Sequence, residues 1–376
     1  MRFLFYTHSL VSDWNHGNAH FLRGIMRDLV ARGHQALALE PEDAWSRANL
    51  VASAGPAAIE RFGQDFPELR SQSYNADFEH EAVLSEADVV LVHEWTDPAL
   101  VERIGRARRD GGTFTLLFHD THHRAVSAES DIDAMVLTDY DAILAFGETL
   151  RQRYLQAGWG REVFTWHEAA DTRLFRPHPE ITKTGDLIWI GNWGDDERTA
   201  EIASFLVEPV RKMRIKATVH GVRYPETALA ELDAAGIEYG GWIANADVPL
   251  AFAANKVTVH IPRRPYIEAL PGIPTIRMFE ALACGIPLVS APWNDVEGLF
   301  RPGTDFLFAR NGEAMSRALS TLLGDPDFRA DLARSGLETI LSRHTCAHRV
   351  NELLAILKQR GTARVRAEIA SAETLQ

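Results

Sequence analysis

The stretch GIPTIRMFEALACGIPLVS, Gly272 to Ser290, decides how the chain is read. Pro271, Gly272, Ile273 and Pro274 make a rigid turn. Thr275 can begin a helix and Gly285 can end it, because glycine takes the left-handed conformation just past a helix at no steric cost. Ile276, Phe279 and Ala283 then share a core-facing side, and Ala281 and Cys284 are small enough to admit another backbone. PLVSA (287–291) follows as a short apolar strand. A helix, a glycine stop and a short apolar strand form the repeating unit of a parallel sheet covered by helices. Glu280 is out of place on such a helix. It either pairs with Arg277, three residues earlier, for a few tenths of a kcal/mol, or it offers two acceptor oxygens to a ligand with paired hydroxyls.

The same unit recurs on both sides of this stretch. Apolar runs at 2–7, 35–40, 88–93, 113–118 and 141–146 alternate with helical patterns. One of these is AHFLRGIMRDLVARG, where Phe21, Leu22, Ile25, Leu29 and Val30 share a face and Gly33 stops the helix. A second series runs through 186–191, 216–221, 256–261, 287–291 and 305–309. Between the series, residues 167–185 carry two prolines and weak periodicity, as a linker does. The expected organisation is therefore α/β. Residues 1–166 form a first Rossmann-like domain, 167–185 a linker, 186–345 a second Rossmann-like domain, and 346–376 a helical terminal segment. In such sheets, ligands bind beyond the carboxyl ends of the strands, so two domains facing each other would share one cleft.

Composition narrows the class. The chain has 376 residues and a net charge of -13, which disfavours nucleic acid as the main partner. The two cysteines lack metal-ligand spacing, and so sparse a use fits a reducing cytoplasm. MRFLFYTHSL reads as a first strand rather than a secretory leader. No run approaches the roughly 18–20 apolar residues of a membrane span. The segment RIGRARRDGG (103–112) leaves peripheral membrane contact open, but a helix end whose cations complement the dipole accounts for it better.

Three loops at strand ends carry chemistry-bearing residues. After the first strand, Asp13, His16, Gly17 and Asn18 precede a long helix. Asn18 could cap it, and Gly17 lets a ligand approach the backbone. After the 113–118 run, His119 and Asp120 stand where a hydrogen-bond donor or an acid/base group would face a cleft. The spacing of His119, Asp120, His122 and His123 matches no zinc signature, so no metal is expected. In the second half, IWIGNWGDDER places Gly191 and Asn192 where backbone N–H groups are aimed at phosphate. Arg198 follows as a charge-assisted contact or as a solvated helix residue.

These residues resemble a known family. FEALACGIPLVSAPW is similar to the signature helix–turn–strand of the group 1 glycosyltransferases, which have the GT-B fold of two Rossmann-like parallel-sheet domains facing an interdomain cleft. More narrowly, NKVTVHIPRRPY, GIPTIRMFEALACGIPLVS and HTCAHRVNELL resemble the CgeB-like branch. HGNAHFLRGIMRDLVARGHQ, FHD, HEAADTRLFRP (with Asp171, Phe175 and Pro177) and WIGNW match further family motifs in the expected order.

The resemblance implies that Glu280 binds the ribose hydroxyls of a nucleotide-diphosphate sugar. It also implies that the loops at Gly17 and Gly191 approach donor phosphate or sugar, and that His119 lies near the transferred sugar. The expected enzyme is a cytoplasmic, metal-independent, hexosyltransferase-like glycosyltransferase. It would act with retention and need no cofactor beyond its sugar-nucleotide co-substrate. His119 and Asp120 are its candidate catalytic residues. Gly191, Asn192, Arg198, Gly272, Ile273, Arg277 and Glu280 are its donor residues, and Asp13, His16, Gly17 and Asn18 its acceptor residues. The acceptor itself is unidentified.

Two departures stand out. Many relatives carry a sugar-contacting glutamate where this chain has Gly272. The usual arginine–lysine pair for diphosphate is not evident after Gly191, which leaves Arg198, Lys256, Arg263, Arg264 and Arg277 as substitutes. The alternatives are an epimerase or phosphorylase on the same fold, or a non-catalytic nucleotide-sugar-binding module.

Overall fold

In the computed structural model, which describes residues 1–374, the chain divides into two units. Unit 1 comprises residues 1–168 and 346–376, of which the last two lie outside the described residues; unit 2 comprises 169–345.

Unit 1 is built on seven parallel strands: β1 (Arg2–Tyr6), β2 (Gln35–Pro41), β3 (Ser71–Tyr74), β4 (Val89–His93), β5 (Thr115–Asp120), β6 (Ala142–Ala145) and β7 (Val163–Thr165). Their order is β3-β2-β1-β4-β5-β6-β7. The middle strands are apolar on both faces because helices cover both; every residue of β4, β5 and β6 is buried. The helix Asn18–Ala31 buries Phe21, Leu22, Ile25, Met26 and Leu29. It ends where Gly33 takes φ +84, with Gly33 N–H donating to Val30 O and His34 N–H to Leu29 O.

The terminal helices Cys346–Arg360 and Ala363–Thr374 belong to this unit. Arg32 reaches Asn351 and the Ala347 carbonyl, Trp166 Nε1 donates to Arg349 O, and Arg364 pairs with Asp88. Arg103, Arg106, Arg108 and Arg109 each pair with a carboxylate at the end of the helix Pro98–Arg109. That run is therefore a charge-paired helix end rather than a bare basic stripe. Among the described residues, no helix is long and apolar enough to cross a membrane.

Unit 2 has six parallel strands: β8 (Gly185–Ile190), β9 (Ala217–His220), β10 (Ile237–Tyr239), β11 (Asn255–His260), β12 (Leu288–Ser290) and β13 (Leu307–Phe308). Their order is β10-β9-β8-β11-β12-β13. Leu187, Trp189, Val219, Val257, Val259 and Val289, from β8, β9, β11 and β12, pack with Leu206, Val210, Met315 and Leu319 from the covering helices. In each sheet the winding reverses beside the first strand, between β1 and β4 in unit 1 and between β8 and β11 in unit 2. Those two reversals are where each sheet can open a crevice at its carboxyl edge.

Candidate functional site

In unit 1, the loops after β1 and β4 carry a run of imidazoles to the reversal point. His93 ends β4. Its Nε2 lies 2.7 Å from Asn18 Nδ2 and 3.0 Å from Thr121 Oγ1, and its Nδ1 lies 2.8 Å from Glu94 Oε2. His16 meets His93 edge-on at 6.4 Å and His8 at 5.7 Å, and His119 meets His93 at 5.5 Å. Burial, then neighbouring His8 and His93, holds His16 well below the usual imidazole range. Burial, then His93, does the same for His119 and brings His8 to about 4. These three rings are therefore neutral at neutral pH. The Nε2 atoms of His16 and His119 are buried without a hydrogen-bond partner.

The structure corrects several expectations here. Asn18 does not cap its helix; the cap residue is Gly17, at φ -61, and no side chain caps it. Asn18 turns to His93 instead. That φ needs no glycine. Asp13 is not an open carboxylate, because Arg23 holds it at 2.9 Å while also donating to the carbonyls of Leu10 and Val11. The pair pins the loop that carries His16. His119 and Asp120 are neighbours on β5 and so point to opposite faces. His119 packs against Phe21 and Trp166. Asp120, wholly buried, accepts from the Tyr154 hydroxyl at 2.7 Å and from the His122 amide at 2.9 Å. Burial, then the charge of Glu94, raises it to about 7. It braces β5 against the helix Glu148–Ala157 and presents no surface to a ligand. Among the described residues, no three His, Cys, Asp or Glu side chains converge as a metal site requires.

In unit 2, the reversal between β8 and β11 is cationic. Arg198 donates to Ile261 O at 3.0 Å, beyond β11, and to Asn192 O and Oδ1 at 2.5 and 2.6 Å, beyond β8. Its guanidinium lies 5.1 Å over the Trp189 ring. Burial, then the charge of Arg263, pushes it down to about 9. It is thus neither a solvated arginine nor an open phosphate ligand; it ties two strand-end loops together. Arg263, which was only a substitute candidate in the sequence, is more exposed. It spans Glu197 at 2.7 Å and Asn192 Oδ1 at 3.0 Å. The Gly191 N–H donates to His220 O at 2.9 Å, so that amide is not aimed at phosphate. Lys256, second residue of β11, pairs with Asp186 near the start of β8, at the sheet edge opposite the strand ends.

The opening stretch folds as read, with a helix at Ile276–Ala283, Thr275 as cap and Gly285 at φ +64 just past its end. Gly285 N–H donates to Leu282 O and Ile286 N–H to Ala281 O, which closes the helix before β12. The turn before the helix is anchored twice. Trp293 Nε1 donates to Ile273 O, and the buried His260 contacts Thr275 Oγ1 and Ser290 Oγ. Gly272 takes φ +94, and a Cβ there would lie 2.8 Å from Val296 Cγ2 and 3.1 Å from Glu297 Oε1. The position thus excludes a larger residue on both counts. Glu280 is wholly buried and pairs with Arg277, whose side chain is 28% exposed.

Sequence reasoning missed His93, Glu94 and His260 as site-forming residues, and it held Arg263 only among the substitutes. The available signal was their position at or just beyond strand ends.

The model of a family described as glycosyl transferase-like matches residues 198–355, under half of the chain but including Arg198, Arg263, Arg277 and Glu280. No curated protein matches the sequence. Among solved structures, the chain is similar to sucrose-phosphate synthase from Thermosynechococcus elongatus, at 14% identity and TM-score 0.68, covering 96% of this chain and 98% of that one. It is similar to Anabaena HepE in complex with UDP and glucose, at 15% identity and TM-score 0.69, covering 96% and 100%. It is also similar to an alpha-glucosyltransferase in complex with UDP and a 13-mer DNA, at 9% identity and TM-score 0.70, covering 95% and 99%. The fold is GT-B.

Proposed function

We propose that the chain is a glycosyltransferase that moves a hexosyl group, with retention, from a nucleotide-diphosphate sugar to an acceptor held by unit 1. The observation that carries this reading is the buried Glu280 with its Arg277 partner, on a helix inside the segment the glycosyl transferase-like model matches. Glu280 takes the ribose hydroxyls once Arg277, the more exposed partner, swings to the diphosphate. Arg263 and Asn192 meet the phosphates from the β8–β11 reversal. Ile273 and the turn at Gly272 border the donor sugar. Fixed cations at a leaving diphosphate stabilise charge that grows in the transition state, the kind of preorganised electrostatics that lowers barriers most.

The UDP in two of the similar structures makes uridine the first nucleotide to test. On the retaining route the leaving phosphate assists the acceptor hydroxyl, and neither a metal nor a cofactor takes part. The narrower reading, a CgeB-like branch, is supported by the runs NKVTVHIPRRPY (255–266), GIPTIRMFEALACGIPLVS (272–290) and HTCAHRVNELL (344–354). Two buried cysteines, Cys284 and Cys346, neither in a disulfide, fit a reducing cytoplasm.

The test is a thermal-shift panel of UDP, GDP, ADP, TDP and their common sugar conjugates on the wild type and Glu280→Ala. Binding to the native state raises the melting temperature by mass action. One nucleotide series should stabilise the wild type, and Glu280→Ala should lose that response. If no nucleotide shifts the wild type, Glu280 is only a helix carboxylate paired with Arg277.

A further inference from the structure

Of the nine tryptophans in the chain, Trp45 alone is exposed, at 37%. It starts the helix Trp45–Ala54 after β2, and one face of its ring stacks on His8 at 4.6 Å. Trp14 meets it edge-on at 6.1 Å. Behind His8 runs the series His16, His93 and His119. An aromatic plate pinned from one side therefore sits at the head of a row of imidazoles, two of which keep a buried Nε2 without a partner.

This combination suits one ligand chemistry. An aromatic face takes the C–H side of a sugar ring, while a few placed polar atoms take its hydroxyls. The imidazoles are held neutral by burial, so each carries one donor and one acceptor nitrogen without a charge to balance; His8 Nε2 already accepts from the Ser46 amide at 3.3 Å, which leaves the Nε2 atoms of His16 and His119. Phosphate recognition, in contrast, draws on charge-assisted donors such as an open guanidinium or ammonium. Of the nearby cations, Arg47, two residues along the helix from Trp45, donates to Ser73 Oγ at 2.8 Å, and two others are engaged more fully. Arg23 holds Asp13 and two carbonyls, and Arg124 donates to Glu94 O, lies 3.7 Å from Asp131 and covers the Trp95 ring at 4.0 Å. We infer that the acceptor is a neutral saccharide, stacked on Trp45 with its hydroxyls directed to the imidazole row. The inference rests on the reading of unit 1 as the acceptor side.

The test uses the full-length protein. Maltotriose, cellotriose, xylotriose and chitotriose are titrated, alongside glucose 6-phosphate and a short DNA duplex, with saturation-transfer NMR and tryptophan fluorescence as readouts. At least one neutral trisaccharide should bind. Trp45→Ala should weaken it about tenfold, the scale of one lost aromatic contact, and Trp45→Phe should recover most of the affinity. Trp45→Ala should keep the wild-type thermal shift with nucleotide, which shows that the variant is folded. Binding of glucose 6-phosphate or DNA in place of the neutral glycans overturns the inference. So does a neutral-glycan affinity indifferent to Trp45, or a panel in which none of the glycans binds. If nucleotides still shift the melting temperature while no neutral glycan binds, the acceptor inference falls and the donor reading stands. If nucleotides also fail, the donor reading falls with it.

Discussion

Arg198→Met removes a buried guanidinium that joins the loops beyond β8 and β11. Its three bonds, to Ile261 O, Asn192 O and Asn192 Oδ1, are 2.5–3.0 Å long. Methionine fills much of the volume but leaves those acceptors without a donor. A buried acceptor stripped of its partner costs about 1–3 kcal/mol. The Asn192 acceptors lie in a partly exposed residue that water can reach, so the low end applies to them. Loss of the contact with Trp189 adds about 0.5–1 kcal/mol. Against this, the variant no longer buries a cation, a cost visible in the fall of Arg198 to about 9. The balance is a loss of about 2–4 kcal/mol. For a domain of this size each kcal/mol moves the melting temperature by about 2–4 °C. Differential scanning calorimetry should therefore place the unit 2 transition roughly 5–15 °C lower. Arg198→Lys should fall between the two proteins, because one ammonium cannot span both loops. A methionine variant that melts with the wild type refutes the bridging role and returns Arg198 to the list of open phosphate ligands.

Three further outcomes follow from the same structure. Asp13→Ala leaves Arg23 buried without its carboxylate and should destabilise unit 1 by about 3 kcal/mol in a urea titration; an unchanged midpoint would mean the pair is not structural. Asp120→Asn tests the raised acid. The folded pKa of about 7 lies above the unfolded 3.8, so the native state holds the extra proton between those values and this carboxyl's contribution weakens as pH rises through that window. The asparagine, which keeps both hydrogen-bond partners, should gain on the wild type in melting temperature from pH 4 to pH 8; a constant difference would show that Asp120 is already ionised at the low end. Gly272→Ala meets Val296 and a left-handed φ, and should cost about 1–3 kcal/mol in chemical denaturation; a neutral effect would show that the turn relaxes freely.

How much of this was legible depended on the kind of signal. Central strands announced themselves because burial on both faces makes them continuous apolar runs, as in Val89–His93. The strands missed were β3 (SQSY), β7 (VFT) and β10 (IEY), all at sheet edges, short, and exposed enough to be partly polar. β5 begins two residues later than its apolar run and ends on His119–Asp120, so residues expected beyond the strand are in it. Glycine stops were readable at Gly33 and Gly285 because the left-handed conformation is a local demand. The partners of the polar residues were not readable. Asn18 chooses His93, 75 residues away, over its own helix, and Asp13 chooses Arg23 over solvent. Such choices are made by tertiary proximity, which spacing along one chain does not encode.

The two reversal points also differ in a way that bears on what each unit can hold. Both arise from the same winding, with the first strand between its second and fourth. In unit 2 the loops there carry Arg198 and Arg263, with Arg277 on the helix Ile276–Ala283; Arg263 and Arg277 are the more exposed of the three and each is held by a carboxylate that an incoming anion would have to replace. In unit 1 the corresponding loops carry His8, His16 and His93, and the rings of His8 and His16 are uncharged at neutral pH while the nearby Arg23 is locked to Asp13. On the proposed reading a diphosphate and a neutral saccharide bind to different units, and a cation beside the saccharide would attract phosphate there instead. Moving charge between them should therefore move affinity. His8→Lys places an ammonium under Trp45 and should make glucose 6-phosphate compete at the acceptor crevice. Saturation-transfer NMR would detect that competition as binding of glucose 6-phosphate that the wild type lacks. If His8→Lys binds it no better than the wild type, neutrality is not what excludes phosphate from unit 1, and the geometry of the His16 and His119 row must do so instead.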